Sequence, residues 1–331
     1  MNWQGRKVLV TGGGGFIGSH LVEMLARRGA DVRALVRYNS RGTFGWLHDV
    51  APEVSRSVNV VQGDLRDADA VLRAVDGCEV VFHLGAMISI PYSYVNPTEV
   101  AAVNVNGTLN VLNACKQAGV ARLVHTSTSE IYGTARYVPI DEQHPVHGQS
   151  PYSASKIAAD KLAESYHRAF DLPVVTIRPF NTYGPRQSAR ALIPNVMVQL
   201  LSGATVKLGL LTPTRDFTFV TDTADGMIRA AECNEAIGHE INLGSGKEIS
   251  VGDLVGRIVD ISGRKAEIEQ QSERVRPEKS EVERLLSNNA RARELLKWEP
   301  QVGFDEGLLQ TYEWLGRNLP EYRRAVSGYV I

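Results

Sequence analysis

A tyrosine and a lysine four residues apart, Tyr152 and Lys156, are the first candidates for chemistry. The surrounding run Pro151–Phe170 is predicted to be a helix that starts at Ser150-Pro151, so the two side chains share one helix face. A phenol titrates near ~10, too high for a base at neutral pH, but a neighbouring ammonium favours the phenolate. The pair could therefore remove a proton from a hydroxyl. A purely structural tyrosine–lysine pair is the alternative interpretation.

A second set of reactive side chains, Thr128, Ser129 and Glu130, precedes that helix. They follow the apolar run Arg122–Thr126, which is predicted to be a buried parallel strand. Thr128 can hydrogen-bond the phenol oxygen and orient it. Glu130 supplies a carboxylate that can act as a second acid or base. The same edge of the protein would then hold two separate proton-transfer groups.

A candidate redox site lies near the N-terminus. The apolar run Lys7–Thr11 is predicted to be a strand, and G-x-x-G-x-x-G follows it at Gly12, Gly15 and Gly18. Residues 16–28 then have a helical pattern. Glycines permit a tight turn and bring backbone N–H groups close to a pyrophosphate at a helix start. This order favours a dinucleotide site over the alternative, a strand-to-helix turn without a ligand.

The end of the second predicted strand, Asp31–Val36, bears on the choice of cofactor. Sites that prefer NAD often have a carboxylate there for the ribose 2′-hydroxyl. This strand continues into Arg37, Tyr38, Asn39, Ser40 and Arg41, without a carboxylate. The arginines favour a 2′-phosphate, so we expect NAD(P) with NADP favoured over NAD. Solvated arginines at a strand end are the alternative.

Strands and helices alternate through the first half of the chain, which predicts an α/β Rossmann fold with a doubly wound parallel sheet. Further strands are predicted at residues 58–61, 79–84 and 173–178, and helices at residues 67–75 and 95–118. Ligands in such sheets lie at the carboxyl ends of the strands. His83 lies within an apolar strand and is interpreted as a packed residue rather than a catalyst.

After Pro179 the sequence texture changes, and residues 180–186 look like a loop. We expect residues 1–180 to form the cofactor-binding domain. Residues 181–331 should form a smaller mixed α/β substrate lobe, with helices at 221–233, 250–261 and 304–319 and with some segments returning to the first domain. Several polar or basic side chains there could converge on a diphosphate, scattered surface arginines being the alternative; they are Asn181, Arg186, Arg190, Arg215 and Arg276.

Composition excludes several classes of function. The chain has 331 residues, 43% hydrophobic and 22% charged, with a net charge of −1. That charge predicts no nucleic-acid partner. No apolar run reaches membrane-spanning length and no secretory signal precedes the first strand, so we expect a cytoplasmic protein. Cys78, Cys115 and Cys233 have no metal-type spacing and are predicted to be buried thiols. No metal site is predicted.

These motifs together resemble the extended short-chain dehydrogenase/reductase family over about residues 7–185. They occur in the family's order as T-G-G-x-G-F-I-G, G-D-L, H-L-x-A, N-x-x-G-T, Y-x-x-x-K and R-P-F-N-x-Y-G-P. The resemblance implies tightly held NAD(P), a nucleotide-sugar substrate and the reactive trio Thr128, Tyr152 and Lys156. It also implies a homodimer built through the helices at residues 95–118 and 151–170.

The resemblance further assigns binding residues. Cofactor contacts are expected from Gly12, Gly14, Gly15, Phe16, Ile17, Gly18, Arg37, Asn39, Ser40, Asp64, Leu65, Leu84, Gly85, Ala86, Thr126, Tyr152, Lys156 and Pro179. Substrate contacts are expected from Ser89, Tyr92, Asn181, Arg186, Pro194, Arg215, Arg276 and Glu281.

Within the family the residues after Thr128 separate several chemistries. The 4,6-dehydratases often have T-D-E there and the 4-epimerases usually lack the carboxylate, whereas this chain has T-S-E, with Ser129 in place of the acidic Asp. UDP-glucuronate decarboxylases look similar at these positions. The stretches at residues 32–41, 90–93, 148–152, 185–190, 213–217 and 276–282 resemble the N-acetylglucosamine-nucleotide 4,6-dehydratases of legionaminic-acid-type pathways. A non-catalytic dinucleotide-binding sensor is the alternative from another class.

The dehydratase interpretation assigns each group a step. Tyr152 is the base for the C4 hydroxyl, and Glu130 takes the C5 proton once C4 is a ketone. Either Glu130 passes that proton to the departing C6 oxygen, which we favour, or Ser129 relays one through water. A decarboxylase would lose carbon dioxide from C6 and could use Arg186 or Arg190. An epimerase would leave Glu130 a structural role.

Overall fold

The computed structural model of the protein describes residues 1–271 and 282–326. In that part of the chain the strands are β1 Lys7–Thr11, β2 Asp31–Val36, β3 Asn59–Gln62, β4 Val80–His83, β5 Arg122–Thr126, β6 Val174–Pro179, β7 Asn181–Tyr183, β8 Thr205–Leu208, β9 Thr214–Phe219, β10 Glu240–Leu243, β11 Glu248–Ser250 and β12 Glu267–Gln270. The helices are α1 Phe16–Arg27, α2 Pro52–Ser57, α3 Ala68–Val75, α4 Ile90–Val95, α5 Pro97–Ala101, α6 Gly107–Ala118, α7 Pro151–Phe170, α8 Leu192–Ser202, α9 Val220–Glu232, α10 Val251–Ser262, α11 Ala290–Leu296, α12 Phe304–Arg317 and α13 Leu319–Val326.

A parallel sheet forms the centre of the first half of the protein. Among the described residues it has seven strands in the order β10-β6-β5-β4-β1-β2-β3. Strands β4 and β6 are buried along their whole length, as expected for strands covered by helices on both faces. The order reverses between β1 and β4, where doubly wound sheets bind their ligands. The predicted Rossmann-type α/β class is confirmed.

Two predicted elements differ from those observed. Residues 95–118, predicted to be one helix, form α5, a wider π-type turn at Ala102–Asn106, and α6. Inside that turn the Asn104 side chain is bonded to both backbone polar groups of Met87, which links it to the end of β4. Residues 180–186, predicted to be a loop, contain β7, because Asn181–Tyr183 pairs with β9. Both differences come from contacts distant in sequence.

The chain beyond residue 180 contributes both to the edge of the large sheet and to a second lobe. Strand β10 pairs in parallel with β6 at the edge of the large sheet, and α9 packs against α1. The remaining elements build a second lobe around a three-stranded sheet, β11-β9-β7, and a β12-β8 pair among the described residues. A separate hydrophobic cluster lies under α8, α10 and α12, including Met197, Leu254 and Leu315.

Two further observations bear on the composition of the chain. In residues 1–271 and 282–326 no helix combines the length and the apolar character needed to cross a bilayer. Cys78 and Cys115 are buried free thiols, but Cys233 is only half-buried, with its sulfur close to the carbonyl oxygen of Leu295. The prediction that all three cysteines are buried was therefore wrong for Cys233, because α9 ends at Glu232 near the surface.

Candidate active site

Tyr152, Lys156 and Thr128 meet at the carboxyl edge of the sheet, where they line one cavity of about 860 Å³. Helix α7 begins at Pro151 and is capped by Ser150, whose hydroxyl accepts a hydrogen bond from the Ser153 backbone N–H. Tyr152 therefore lies in the first turn of α7 and Lys156 one turn later. Thr128 caps a short 3₁₀ turn, Ser129–Tyr132, immediately after β5. The local caps fix the two elements that bring the trio together.

Burial controls the ionisation of the pair. It raises the pKa of Tyr152 far above its ordinary value, with Glu130 and Asp160 raising it further, while the hydrogen bond with Thr128 lowers it. Burial also lowers the pKa of Lys156 to about 8. The Lys156 ammonium donates to the carbonyl oxygen of Thr126 at 2.7 Å. In the protein without a bound cofactor, burial therefore dominates the ionisation of the Tyr152 phenol. The positive charge of a bound nicotinamide, acting together with Lys156, would favour the phenolate.

Glu130 is the only carboxylate among the described residues that line this cavity. It is half-buried, and its backbone N–H donates to Thr128 Oγ1 at 3.2 Å. Within the described residues no hydrogen bond or ion pair involves its carboxylate. Ser129, which is buried beside it, also lines the cavity. Glu130 is thus a free acid–base group next to Tyr152.

A buried polar cluster that the sequence did not single out lies below the pair. Asp160, one turn beyond Lys156 on α7, accepts hydrogen bonds from His125 at 3.2 Å, Ser127 at 2.8 Å and Arg178 at 3.3 Å. Ser127 directly follows the Thr126 carbonyl that binds Lys156. The spacing Tyr152, Lys156, Asp160 repeats every four residues, which could have identified the carboxylate.

His83 is buried, as expected for a packed residue. Its ring lies between the Thr11 hydroxyl at 2.8 Å and the Thr108 hydroxyl at 3.0 Å. Burial lowers its pKa well below the ordinary value, and the nearby His125 and Lys156 lower it further. His83 therefore supports the ends of β1 and β4 as a neutral ring.

The glycine loop fits the pyrophosphate of a dinucleotide. Gly15 caps α1 without a side-chain hydrogen bond, so the first N–H groups of the helix are available to an anion. A Cβ at Gly18 would lie 2.2 Å from the Gly12 carbonyl oxygen, and Gly12 itself has φ +69°. Only glycine therefore keeps this loop tight against the helix.

Most predicted cofactor contacts line the main cavity, which runs from the glycine loop to Tyr152. They are Gly12, Gly14, Gly15, Phe16, Ile17, Gly18, Arg37, Asn39, Leu84, Gly85, Ala86, Thr126, Tyr152, Lys156 and Pro179. Asp64 and Leu65 line a smaller cavity of about 160 Å³ that shares Gly12, Arg37 and Gly85 with the first. Ser40 lines neither cavity and is exposed.

Two charged residues that line the cavities beside the glycine loop, Asp64 and Arg37, differ in whether another side chain pairs with them. Asp64 is paired with Arg66 at 2.6 Å, and this hydrogen bond lowers the pKa of Asp64 to about 2. Arg37 borders both cavities and is exposed, and no described residue hydrogen-bonds or ion-pairs with its guanidinium. Arg37 is therefore the available cation at the end of β2.

The far end of the cavity is lined by Asn181, Arg190 and Arg215. Lining residues that were not predicted as contacts include Thr43, Phe44, Gly45, Gln187, Ser188, Leu192, Ile193, Leu208, Gly209, Leu210, Pro213, Phe217 and Val251. Alternation along β9 could have identified Phe217, two residues after Arg215. Of the others, Leu192, Ile193, Leu208 and Val251 lie at the ends of α8, β8 and α10. The rest lie on connecting segments whose positions depend on packing.

Four predicted substrate contacts are engaged elsewhere. Arg186 is buried and donates to Glu23 of α1 at 2.8 Å, so its guanidinium does not line the cavity. Ser89 caps α4, and the Tyr92 hydroxyl donates to Glu99 at 2.5 Å. Pro194 is buried inside α8. The geometry does not support these contacts, because neighbouring helices already hold the side chains.

Two further predicted contacts, Arg276 and Glu281, lie outside the described residues. The structure therefore says nothing about them, and they stay predictions.

Known proteins match this arrangement closely. The family model described as GDP-mannose 4,6 dehydratase matches residues 9–311. The UDP-glucose 4-epimerase of Mycolicibacterium smegmatis is 38% identical over 93% of this chain and 98% of that protein. The dTDP-glucose 4,6-dehydratase of Streptomyces antibioticus is 32% identical over 94% of this chain and 92% of that protein. Similarity thus extends to relatives named for two different reactions.

A solved structure gives the same result in three dimensions. DesIV, a dTDP-glucose 4,6-dehydratase from Streptomyces venezuelae with NAD and TYD bound, superposes with a TM-score of 0.86 at 31% identity, covering 96% of this chain and 99% of that one. With the glycine loop, the Tyr152–Lys156 pair and the strand order described above, these matches show that the chain belongs to the NAD-dependent nucleotide-sugar dehydratase and epimerase family within the extended short-chain dehydrogenases/reductases.

Proposed function

We propose that the protein is a nucleotide-sugar 4,6-dehydratase that acts on a UDP- or GDP-linked hexose of the N-acetylglucosamine type. The observation that carries the proposal is Glu130, a carboxylate without a partner among the described residues, in the cavity that also holds Tyr152. Elimination of water needs a base for C5, and an exchange of hydride at C4 alone does not. The N-acetylated sugar rests on the resemblance of the sequence stretches given above.

Oxidation at C4 needs one base and one orienting group. A bound nicotinamide would accept the C4 hydride and later return it to C6. Tyr152 removes the proton of the C4 hydroxyl, and Thr128, hydrogen-bonded to the same phenol oxygen, holds it in place. Lys156 fixes the geometry by binding the Thr126 carbonyl. These groups are preorganised, because all of them lie in or next to regular elements.

Elimination then falls to Glu130. The C4 ketone acidifies the C5 hydrogen, Glu130 takes that proton, and the C5–H electron pair forms the C5–C6 double bond as the C6 oxygen leaves. No second carboxylate lines the described part of the cavity, so Glu130 also protonates the leaving oxygen, and water departs. Hydride return to C6 and a proton from solvent at C5 complete a 4-keto-6-deoxy sugar, with the loss of one water overall.

A 4-epimerase is the second candidate, because the relative at 38% identity is named UDP-glucose 4-epimerase. That reaction uses Tyr152 in the same way but gives Glu130 no proton to move. A decarboxylase is the third candidate, with Arg190 as a cation for the sugar carboxylate. A cofactor-binding sensor without turnover is retained only as the fourth candidate, since Tyr152 and Lys156 are both present.

The first experiment uses purified protein without added cofactor. It is incubated in deuterated water with UDP-N-acetylglucosamine and GDP-N-acetylglucosamine separately and followed by mass spectrometry and proton NMR. Loss of one water with deuterium at C5 supports the dehydratase, and the faster substrate identifies the nucleotide. A C4 epimer without loss of water moves the assignment to the epimerase. Intact substrate in both tubes contradicts the proposed substrate and directs the assay to uronates.

We also propose NADP as the preferred cofactor, because Arg37 borders both cavities and no described residue pairs with its guanidinium. Replacing Arg37 with Ala should weaken NADP binding about tenfold and leave NAD binding nearly unchanged, as expected for one exposed charge-assisted contact. Titration calorimetry of the cofactor-stripped protein measures both. Equal losses for the two cofactors would contradict the preference.

We further propose that the protein is a cytoplasmic homodimer whose two subunits meet through α5–α6 and α7.

A further inference from the structure

A strap of residues 39–48 crosses the glycine loop at the cofactor end of the cavity. Its first turn is rigid, because Asn39 Oδ1 accepts from the backbone N–H groups of Arg41 at 3.1 Å and Thr43 at 3.3 Å, while Asn39 Nδ2 donates to the Thr43 carbonyl at 2.7 Å. Thr43, Phe44 and Gly45 line the cavity. The strap therefore forms a wall of the proposed dinucleotide site.

The strap is packed directly on Gly14. The Trp46 backbone N–H donates to the Gly14 carbonyl at 2.9 Å. A Cβ at Gly14 would lie 2.5 Å from the Phe44 carbonyl oxygen, and one at Gly45, which has φ +61°, would lie 2.2 Å from the Gly14 carbonyl oxygen. Any shift of the strap must therefore change the loop that faces the pyrophosphate.

The strap is held from outside by an aromatic anchor, which consists of Trp46, Trp314 and Tyr322. The Trp46 ring lies 5.8 Å from Tyr322 in a stacked arrangement and 5.2 Å from Trp314 edge to face, and Trp314 lies 5.6 Å from Tyr322. Such pairs add stability beyond the area that they bury. Trp314 lies on α12 and Tyr322 on α13, so the anchor belongs to the hydrophobic cluster of the second lobe.

The anchor is also tied to the substrate end of the cavity. The buried Tyr322 hydroxyl donates to the Gln187 carbonyl at 2.8 Å, and Gln187 lines the cavity. None of the three rings of the anchor lines the cavity itself. The packing of these rings is therefore not explained by contact with the reacting groups. It does fix the position of the strap.

We propose that Trp46 is a positioning residue for the cofactor, and that it keeps the dinucleotide bound between turnovers by fixing the strap over the glycine loop. A cofactor that would be reduced and then reoxidised within each cycle has no need to leave, so slow release preserves active enzyme. The inference rests on the dinucleotide site of the proposed function and is independent of which sugar reaction follows.

The test measures cofactor retention in the purified holoenzyme. Trp46→Ala should lose bound dinucleotide during gel filtration, and its dissociation constant on titration with NAD and NADP separately should rise about tenfold. Trp314→Ala removes the anchor from the opposite side and should act in the same direction. Tyr38→Ala is the matched control, because Tyr38 immediately precedes the strap and its ring is 68% exposed.

Thermal unfolding at saturating cofactor checks that each variant is folded. If Trp46→Ala does not fold, Trp46→Phe and Trp314→Phe replace the alanine variants and should give a smaller loss in the same direction. Folded variants that retain dinucleotide as well as the parent protein would overturn the proposal, and so would an equal loss in Tyr38→Ala. Cofactor retention is measured without sugar, so it can be interpreted even if the protein does not catalyse the proposed dehydratase reaction. Likewise, a failure of the Trp46 proposal does not affect the test of the dehydratase reaction.

Discussion

The two ends of the cavity are built differently. At the redox end, Tyr152 and Lys156 lie on a long capped helix, are buried and make defined hydrogen bonds. At the substrate end, Asn181 and Arg215 lie on β7 and β9, but Arg190 and Leu210 are exposed and lie on connecting segments. A displacement of about 1 Å can cost a reacting group a hundredfold in rate, whereas a recognition loop can adapt. From this difference we expect the regular elements to fix the groups that carry the chemistry, and the connecting segments to contribute to the choice of substrate.

Replacing Tyr152 with Phe should have the largest effect on the redox end. In the proposed mechanism the phenol removes the proton of the C4 hydroxyl, so cofactor reduction and product formation should both fall about 10³-fold or more. Single-turnover absorbance of reduced nicotinamide measures the first step and mass spectrometry the second. Cofactor content and thermal unfolding serve as controls. Surviving cofactor reduction would remove Tyr152 from its role.

Replacing Glu130 with Gln separates the two chemical steps. The amide keeps the size of the side chain but cannot take the C5 proton, so product should fall about 10²-fold or more. Slow reduction of bound cofactor by the sugar should remain, because Tyr152 and Thr128 are intact. The same absorbance and mass measurements decide this. Unchanged product formation would exclude Glu130 as the elimination base.

Replacing Asp160 with Asn tests how much the redox end depends on its buried support. Loss of the carboxylate leaves the Arg178 guanidinium buried without its closest counter-ion, which should cost about 3 kcal/mol of the free energy of unfolding. Chemical denaturation measures this loss. Ser127→Ala removes one hydrogen bond from a hydroxyl to the same charged carboxylate and should cost about 2 kcal/mol.

The same variant makes a prediction about pH. The pKa of Lys156 is about 8, and the Asp160 charge raises it against the effect of burial. The ammonium therefore loses its proton as the pH rises through about 8, and in Asp160→Asn the alkaline fall in activity should move to lower pH. His125 and Arg178 also face Asp160. The pH profile of His125→Gln is therefore measured for comparison, because that variant changes another group at Asp160 and leaves the carboxylate in place. An unmoved alkaline limb would show that Asp160 does not act through Lys156.

Replacing Arg190 with Ala should give the smallest effect of this series. Its guanidinium is exposed and has no partner among the described residues, so it can contribute a charge-assisted contact to a diphosphate. KM for the nucleotide sugar should rise about tenfold while kcat stays nearly constant. Arg186→Lys is a useful contrast, because Arg186 is tied to Glu23 rather than to the cavity. A fall in kcat with an unchanged KM would contradict the distinction between a redox end that carries the chemistry and a substrate end that binds the sugar nucleotide.

Local patterns were sufficient for the elements that carry the chemistry. The runs Lys7–Thr11, Asp31–Val36, Arg122–Thr126 and Pro151–Phe170 are observed with the predicted bounds. Each is a short buried strand or a capped helix whose periodicity is complete within its own segment. The relation of Tyr152 to Lys156 needs nothing more than the helix repeat.

The sequence by itself therefore determined the fold class, the glycine loop and the shared helix face of Tyr152 and Lys156, because these depend on the order of the elements and on spacing along each of them. Only the tertiary structure decided that Arg186 is held by Glu23, that β7 pairs with β9 and that Trp46 is anchored against Tyr322. Those partners lie far away in the chain. Which residues meet across such a distance is set by packing and burial, not by any repeat in the sequence.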